Sequence, residues 1–133
     1  MIRLDEMLVR RREWRNRYRE LFRSSHGVNL IGGGDDREDN CWLTAIAVDP
    51  SLAGWSSRDL GSALAEAGIE SRHVWKPMHL QPAFRGAAGI FTGVAERLFD
   101  QGLALPSGSV MKEEEFALIE SVLSSSLRFL HAS

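Results

Sequence analysis

Apolar positions along the first 23 residues recur at spacings of three, four and seven. Leu4, Met7, Leu8, Trp14, Tyr18, Leu21 and Phe22 share one side of a helix predicted over 3–23, and Arg10, Arg12, Arg17 and Arg19 fall largely on the other. His26-Gly27 is a stop signal, because glycine accepts the left-handed conformation that ends helices. A polar, glycine-rich loop occupies 32–40. It is followed by Cys41 to Val48, an apolar run rich in strand formers that ends at the Asp49-Pro50 turn and reads as the central strand. Ser56 with Asp59 three residues on forms a capping box, which opens a helix running to Ala67 with Leu60, Ala63, Leu64 and Ala67 as its stripe. A short strand is expected over Ile69 to Val74, and a structured loop over 75–90, punctuated by Pro77, Pro82, Gly86 and Gly89. Thr92 is placed to cap a helix over Val94 to Gln101. Leu103-Ala104-Leu105 reads as a very short strand, and 112–130 as a last helix with Phe116, Ile119, Leu123, Leu127 and Leu130 inward. Glu113, Glu114 and Glu115 stand in its first turn, where the helix dipole favours negative charge. This order predicts an α/β domain of the α+β type: a small, antiparallel-rich, three-stranded sheet covered by about four helices.

Composition narrows the function classes. The 133 residues suit one domain, 1–133, with a lead-in helix over 1–25 and an α/β body over 41–130. Hydrophobic and charged fractions of 44% and 26% are those of a globular chain. No apolar run approaches the ~20 residues of a membrane span, and the N-terminus has no signal-peptide core. A single cysteine, Cys41, excludes an intrachain disulfide and fits a cytoplasmic setting. The net charge of −2 gives no bulk attraction for nucleic acid, and Glu6, Glu13 and Glu20 interleave with the arginines of the first helix, so that face reads as solvated.

The candidate chemistry is soon thinned. His26, His73, His79 and His131 show no paired ligand spacing, so no metal site is expected. Ser107-Gly108-Ser109 lacks the nucleophile-elbow pattern, and Gly32-Gly33-Gly34 lacks the lysine of a phosphate-binding loop; it reads as a connector. The densest constellation is Arg72, His73, Trp75, Lys76, Pro77, His79, Gln81 and Phe84. Arg72 and Lys76 can pair with phosphates, Trp75 and Phe84 can stack on a sugar or base, and His79 can donate to a hydroxyl. The competing reading makes Trp75 and Phe84 core residues and the polar groups loop caps.

The stretch Gly68 to Phe84, with Arg72 followed by Trp75-Lys76-Pro77-Met78-His79-Leu80-Gln81-Pro82, resembles the C-terminal domain of the DegT/StrS-type aminotransferases. Asn40-Cys41-Trp42-Leu43, Ala95-Glu96-Arg97-Leu98-Phe99 and Leu105-Pro106-Ser107-Gly108-Ser109 are similar to segments of the same family, in the same order, and the resemblance covers nearly the whole chain. It implies the small domain of a fold-type I enzyme that uses pyridoxal phosphate (PLP) to move an amino group from glutamate to a nucleotide-linked keto-sugar. Arg72, Trp75, Lys76 and His79 match the motif and are the implied substrate contacts. In that family the Schiff-base lysine and the acidic partner of the pyridinium belong to a large domain, which would precede residue 1. Neither Lys76 nor Lys112, the chain's two lysines, matches the Schiff-base position, so no catalytic residue is carried over. The implied partners are a nucleotide-linked sugar and a large domain or a second copy of the chain. PLP is expected on the full-length family and no cofactor on this chain alone, which would be inactive by itself. Leu4, Met7 and Leu8 would then be an exposed patch favouring self-association. The alternative is a free-standing module that binds a nucleotide sugar or a protein without catalysis.

Overall fold

In the computed structural model, residues 2–32 and 38–130 are described. The glycine-rich connector at Gly33-Gly34 and His131 lie outside them. Helix α1 spans Ile2–Leu21 and is followed by strand β1, Val28–Ile31, and by β2, Thr44–Val48. A one-turn helix α2 (Pro50–Ala53) and helix α3 (Ser57–Glu66) precede the two-residue strand β3 (Arg72–His73). Helix α4 (Val94–Gln101) runs directly into β4 (Gly102–Leu105), and α5 covers Glu113–Leu130.

The sheet has four antiparallel strands in the order β1-β2-β4-β3, one more than expected. The additional strand, β1, is an edge strand. Its four residues are too few for alternation to stand out, and pairing with β2, with Val28 opposite Val48, is what makes it a strand. The strand expected over 69–74 is reduced to Arg72 and His73, which pair with Ala104 and Leu103. β2 is central, as its apolar run predicts, and alternates cleanly: Thr44, Ile46 and Val48 are buried. Ile46 stands opposite Leu103 and Thr44 opposite Leu105, so neighbouring strands send apolar side chains into one core.

That core is a single cluster. Trp14 and Tyr18 of α1 and Phe22 just after it, at four-residue spacing, meet Leu60 and Leu64 of α3, the inward residues of β2 and β4, and Phe116, Ile119, Leu123 and Leu127 of α5. Trp14 stacks on Phe116 with ring centroids 4.6 Å apart and planes 13° from parallel. The Tyr18 hydroxyl donates to the Pro106 carbonyl at 2.8 Å, and its burial pushes the phenol pKa up.

Local signals account for most helix ends. The Ser56/Asp59 capping box forms as predicted. At α4 the cap differs: Gly93, in a left-handed conformation, precedes the helix and no side chain caps it, so Thr92 does not serve. Asp49-Pro50 starts helix α2, because the Asp49 carboxylate accepts from Ser51 N and Pro50 fits a first helical position. Lys112, the residue before α5, has no side chain suited to cap the helix. Glu115 supplies half of a box instead, its Oε2 accepting from Lys112 N at 2.7 Å. Gly102 is required by close approach: a methyl group there would collide with the Leu98 carbonyl and the Val74 side chain where α4 turns into β4.

The arginines of α1 are not simply a solvated face. Arg15 is 5% exposed and bonds Asp39 Oδ2 at 2.6 Å and the Leu43 carbonyl at 2.7 Å. Arg17 reaches Glu113 and Glu120 of α5 and lies over the Phe116 ring at 4.3 Å. Arg10 donates to the Met111 carbonyl. Helix packing against α5 and the segment at 39–43 recruits these cations, a pairing invisible to in-helix spacing. Leu4 is 55% exposed, whereas Met7 and Leu8, the other residues of the patch expected at the start of α1, are half-buried.

Candidate functional site

The 72–84 segment leaves the sheet at its β3 edge and is shaped by two 3-10 turns, Met78–Leu80 and Pro82–Phe84. Gln81 Nε2 donates to the Lys76 carbonyl at 3.0 Å and closes the first turn against the strand exit. This internal bonding gives the loop a defined shape with little core beneath it.

Trp75 is 70% exposed, and Phe84 is exposed as well. They are not core residues, which removes the competing reading for both. Trp75 lies beside Trp42, itself 60% exposed, with centroids 6.4 Å apart and planes 36° apart. Two large aromatic faces left in water at one sheet edge form a platform for a flat or sugar-like group. Arg72 is exposed and donates from Nε and a terminal nitrogen to Glu70 Oε1, at 2.9 and 2.6 Å. Its exposure makes that pair weak, so a phosphate or carboxylate can compete for the guanidinium. Lys76 is exposed in the loop.

His79 is placed differently from the other three. Its Nε2 donates to Glu96 Oε1 of α4 at 2.7 Å, and its ring packs on Phe91 with centroids 4.4 Å apart. Glu96 is held below the usual carboxylate range, first by its own backbone N–H and further by His79. His79 therefore ties the loop to α4, and only Nδ1 remains to meet a ligand. The expected outcome for Glu96→Ala is faster amide hydrogen exchange at Leu80 and Gln81 with little change in overall melting; Glu96→Gln, which still accepts a hydrogen bond, restores much of the protection. Equal exchange in all three proteins would show that the contact does not hold the loop.

Sequence reasoning singled out Arg72, Trp75, Lys76 and His79, and missed Trp42, Glu96 and Phe91 as their neighbours. The signal for Trp42 was present: the Asn40 and Asp39 side chains accept from Trp42 N and Cys41 N, and Cys41 takes a left-handed φ of 48°. A tight turn of that kind presents the next side chain outward.

Beside this edge lies an open cavity of about 540 Å³ between α1, the β3–β4 edge and the start of α5. Trp42 and Arg72 line it, with Arg11, Leu43, Leu105 and Met111. Ser107, at its base, is buried and bonded to Thr44 N and the Trp42 carbonyl, so it is a structural link and not a nucleophile. Among the described residues no cluster of three or more His, Cys, Asp or Glu is placed to hold a metal, and no helix is long and apolar enough to cross a membrane.

The sequence model of the DegT/DnrJ/EryC1/StrS aminotransferase family matches residues 1–124. The chain belongs to this family. Its members are PLP-dependent aminotransferases. EpsN of Bacillus subtilis (strain 168), named as a pyridoxal phosphate-dependent aminotransferase, is 38% identical over 124 residues, covering 90% of this chain and 31% of its own. TlmJ, an aminotransferase from Streptoalloteichus hindustanus, superposes with a TM-score of 0.76 at 21% identity, covering 92% of this chain and 32% of its own. DesI, solved in the presence of its TDP-sugar product, gives 0.75 at 22%, covering 94% of this chain and 32% of its own. The chain thus spans about a third of the length of these DegT/DnrJ/EryC1/StrS relatives.

The residues of this DegT/DnrJ/EryC1/StrS chain do not fit the family cofactor. A PLP site needs a lysine enclosed with an acidic partner for the ring nitrogen. Lys76 and Lys112 are both exposed, neither lines the cavity, and Lys112 sits among Glu113, Glu114 and Glu115.

Proposed function

We propose that this chain is the substrate-closing lobe of a PLP-dependent aminotransferase that moves an amino group from glutamate to the ketone of a nucleotide-linked sugar, leaving 2-oxoglutarate and an amino sugar. The lobe contributes binding surface, and the lysine chemistry comes from outside these residues. The observation that carries the reading is the exposed Trp42–Trp75 pair standing beside Arg72 at one sheet edge. The family match and the sugar product held by DesI support the substrate class. In this role Arg72 and Lys76 meet the phosphates, Trp75 covers the sugar or base, and His79 fixes the loop. Exposed Leu4 and Val9 on α1 offer apolar surface for the rest of such an enzyme or for a second copy.

A fusion tests this reading. The part of EpsN that precedes its matching third is joined ahead of residue 1, and PLP absorbance and 2-oxoglutarate release are followed. The fusion is expected to turn over a TDP-linked keto-sugar, while the chain alone forms no 2-oxoglutarate. In the fusion, Arg72→Met and Trp75→Ala should each lower kcat/KM for the keto-sugar by about tenfold or more, the scale of one lost charged or stacking contact. The half-reaction with glutamate should stay unchanged. Turnover by the chain alone would sink the lobe reading, and equal kcat/KM in the variants would sink the site.

A further inference from the structure

A smaller pocket opens where α3 packs on the short strand β3. In β3, Arg72 pairs with Ala104 and His73 with Leu103, so their side chains leave opposite faces of the sheet. Arg72 goes to the Trp42 side, and His73 to the face that α3 covers. There a pocket of about 320 Å³ has four polar side chains on its wall: Arg58 and Ser62 from α3, His73 from β3, and Ser71 just before that strand. No hydrogen bond or ion pair within the described residues engages any of these four side chains. No carboxylate lines the pocket either. Asp59, the acid next to Arg58, is turned to the Ser56 cap, and Glu70 is held by Arg72.

Gly61 forms part of the floor, beside Leu103. Glycine within a helix is costly, because it has the most backbone entropy to lose. Neither backbone nor packing asks for it here. Gly61 has no positive φ, and a methyl group would stand 3.5 Å from Leu103 Cδ1 and 3.7 Å from Ser71 Oγ, which are ordinary contacts. What the glycine keeps is open space against Ser71. Arg58 brings a planar fork of N–H donors to that space, His73 a ring N–H, and each serine a hydroxyl. Donors on two walls suit an anion with oxygens on several sides, which a tetrahedral oxyanion has and a planar carboxylate lacks. We propose that the pocket between α3 and β3 binds a tetrahedral oxyanion of the phosphate class, held by Arg58, His73 and the hydroxyls of Ser62 and Ser71. The volume is at the small end of ligand sites, which fits the free ion or a small phosphate ester. Since its donors come from both elements, the anion pins β3 to α3 where the 75–84 segment leaves the sheet. The inference stands on these side chains and not on the amino-transfer reading.

The test is a titration of the full chain, at low ionic strength, with inorganic phosphate, glycerol 2-phosphate and acetate. It is read from the backbone amide signals of Gly61, Ser62, Ser71 and His73. Phosphate is expected to shift these four signals to saturation, and acetate to bind more weakly by about tenfold, the scale of one charged hydrogen bond. Arg58→Gln, which keeps helix propensity, should weaken phosphate by about tenfold on the same scale. Gly61→Ala should also weaken phosphate while melting no lower than the parent chain, so that loss of the fold is not the cause. Arg97→Gln, which removes an exposed cation on α4, should bind phosphate as the unaltered chain does. Glycerol 2-phosphate separates the two sources. Binding as tight as that of phosphate assigns the pocket to a phosphate ester, and its exclusion assigns the pocket to the free ion. Phosphate that moves these amides no more than chloride of equal ionic strength overturns the site. Acetate that binds as tightly as phosphate, or an Arg58→Gln or Gly61→Ala chain that binds phosphate unchanged, does the same.

Discussion

Trp14→Ala lowers the free energy of unfolding by about 3–5 kcal/mol, the range for truncating a fully buried large aromatic. The Trp14 ring is 1% exposed, stacked on Phe116, and overlaid by the Arg17 guanidinium at 5.4 Å. Its Nε1 has no hydrogen-bond partner, so the burial is carried by ring packing alone. Alanine would leave a cavity at the joint between α1 and α5, and Arg17 would lose one of its two aromatic faces. A domain of this size has a stability of roughly 5–15 kcal/mol, so a third or more of the total is at stake. Urea unfolding followed by circular dichroism measures the loss. Trp75→Ala is the control, because an exposed ring should change stability by no more than about 0.5 kcal/mol. Similar losses in the two variants would mean that the α1–α5 joint does not hold the core.

Asp39→Ala costs about 3 kcal/mol and removes an acid transition. Arg15 is the buried member of the pair, and taking away the Asp39 carboxylate removes one of the groups that offset its charge in the interior. Breaking a buried pair in this way costs about 3–5 kcal/mol, and the lower edge applies because water reaches the Asp39 side. Asp39 also accepts from Cys41 N at 2.7 Å, so the variant releases the left-handed turn that presents Trp42. Arg15 first, and then the Cys41 N–H, hold the Asp39 carboxyl below its ordinary value. A carboxyl depressed in the folded state stabilises the protein above its unfolded pKa of about 3.9, and that stability is lost as pH falls through the folded value. The unfolding midpoint should therefore be level through neutral pH and fall below about pH 4, more steeply in the parent chain than in Asp39→Asn. Parallel acid profiles for the two proteins would exclude this pair as the source.

The parts of the fold legible in the sequence are those set by neighbours along the chain. The Ser56/Asp59 box, the apolar run of β2 and the inward stripe of α5 each rest on contacts within a few residues; the box and the stripe stand as predicted, whereas the run expected as a strand over 41–48 is one only over Thr44–Val48, because Cys41 takes a left-handed turn. The same holds for the family, which shows itself in motif segments read in order. Elements that depend on distant partners were not legible. β1 exists because β2 lies alongside it, and the strand expected over 69–74 is cut to Arg72 and His73, the residues that pair in register with Ala104 and Leu103 of β4. Arg15 reads as one more surface arginine until Asp39 and the Leu43 carbonyl are brought against it.

The candidate site divides along the same line. The sequence determined which residues of the 72–79 segment carry chemistry, since cations, aromatics and donors are properties of side chains. Their surroundings were decided by the tertiary structure: Trp75 in water beside Trp42, His79 tied to Glu96, and the Arg11 Nε closed to water with no hydrogen-bond partner among the described residues. The physical reason is the range of the interactions. Propensity and capping act within a turn or two of the chain, whereas burial, ion pairing and cavity shape depend on groups separated by tens of residues, which meet only once the chain has packed.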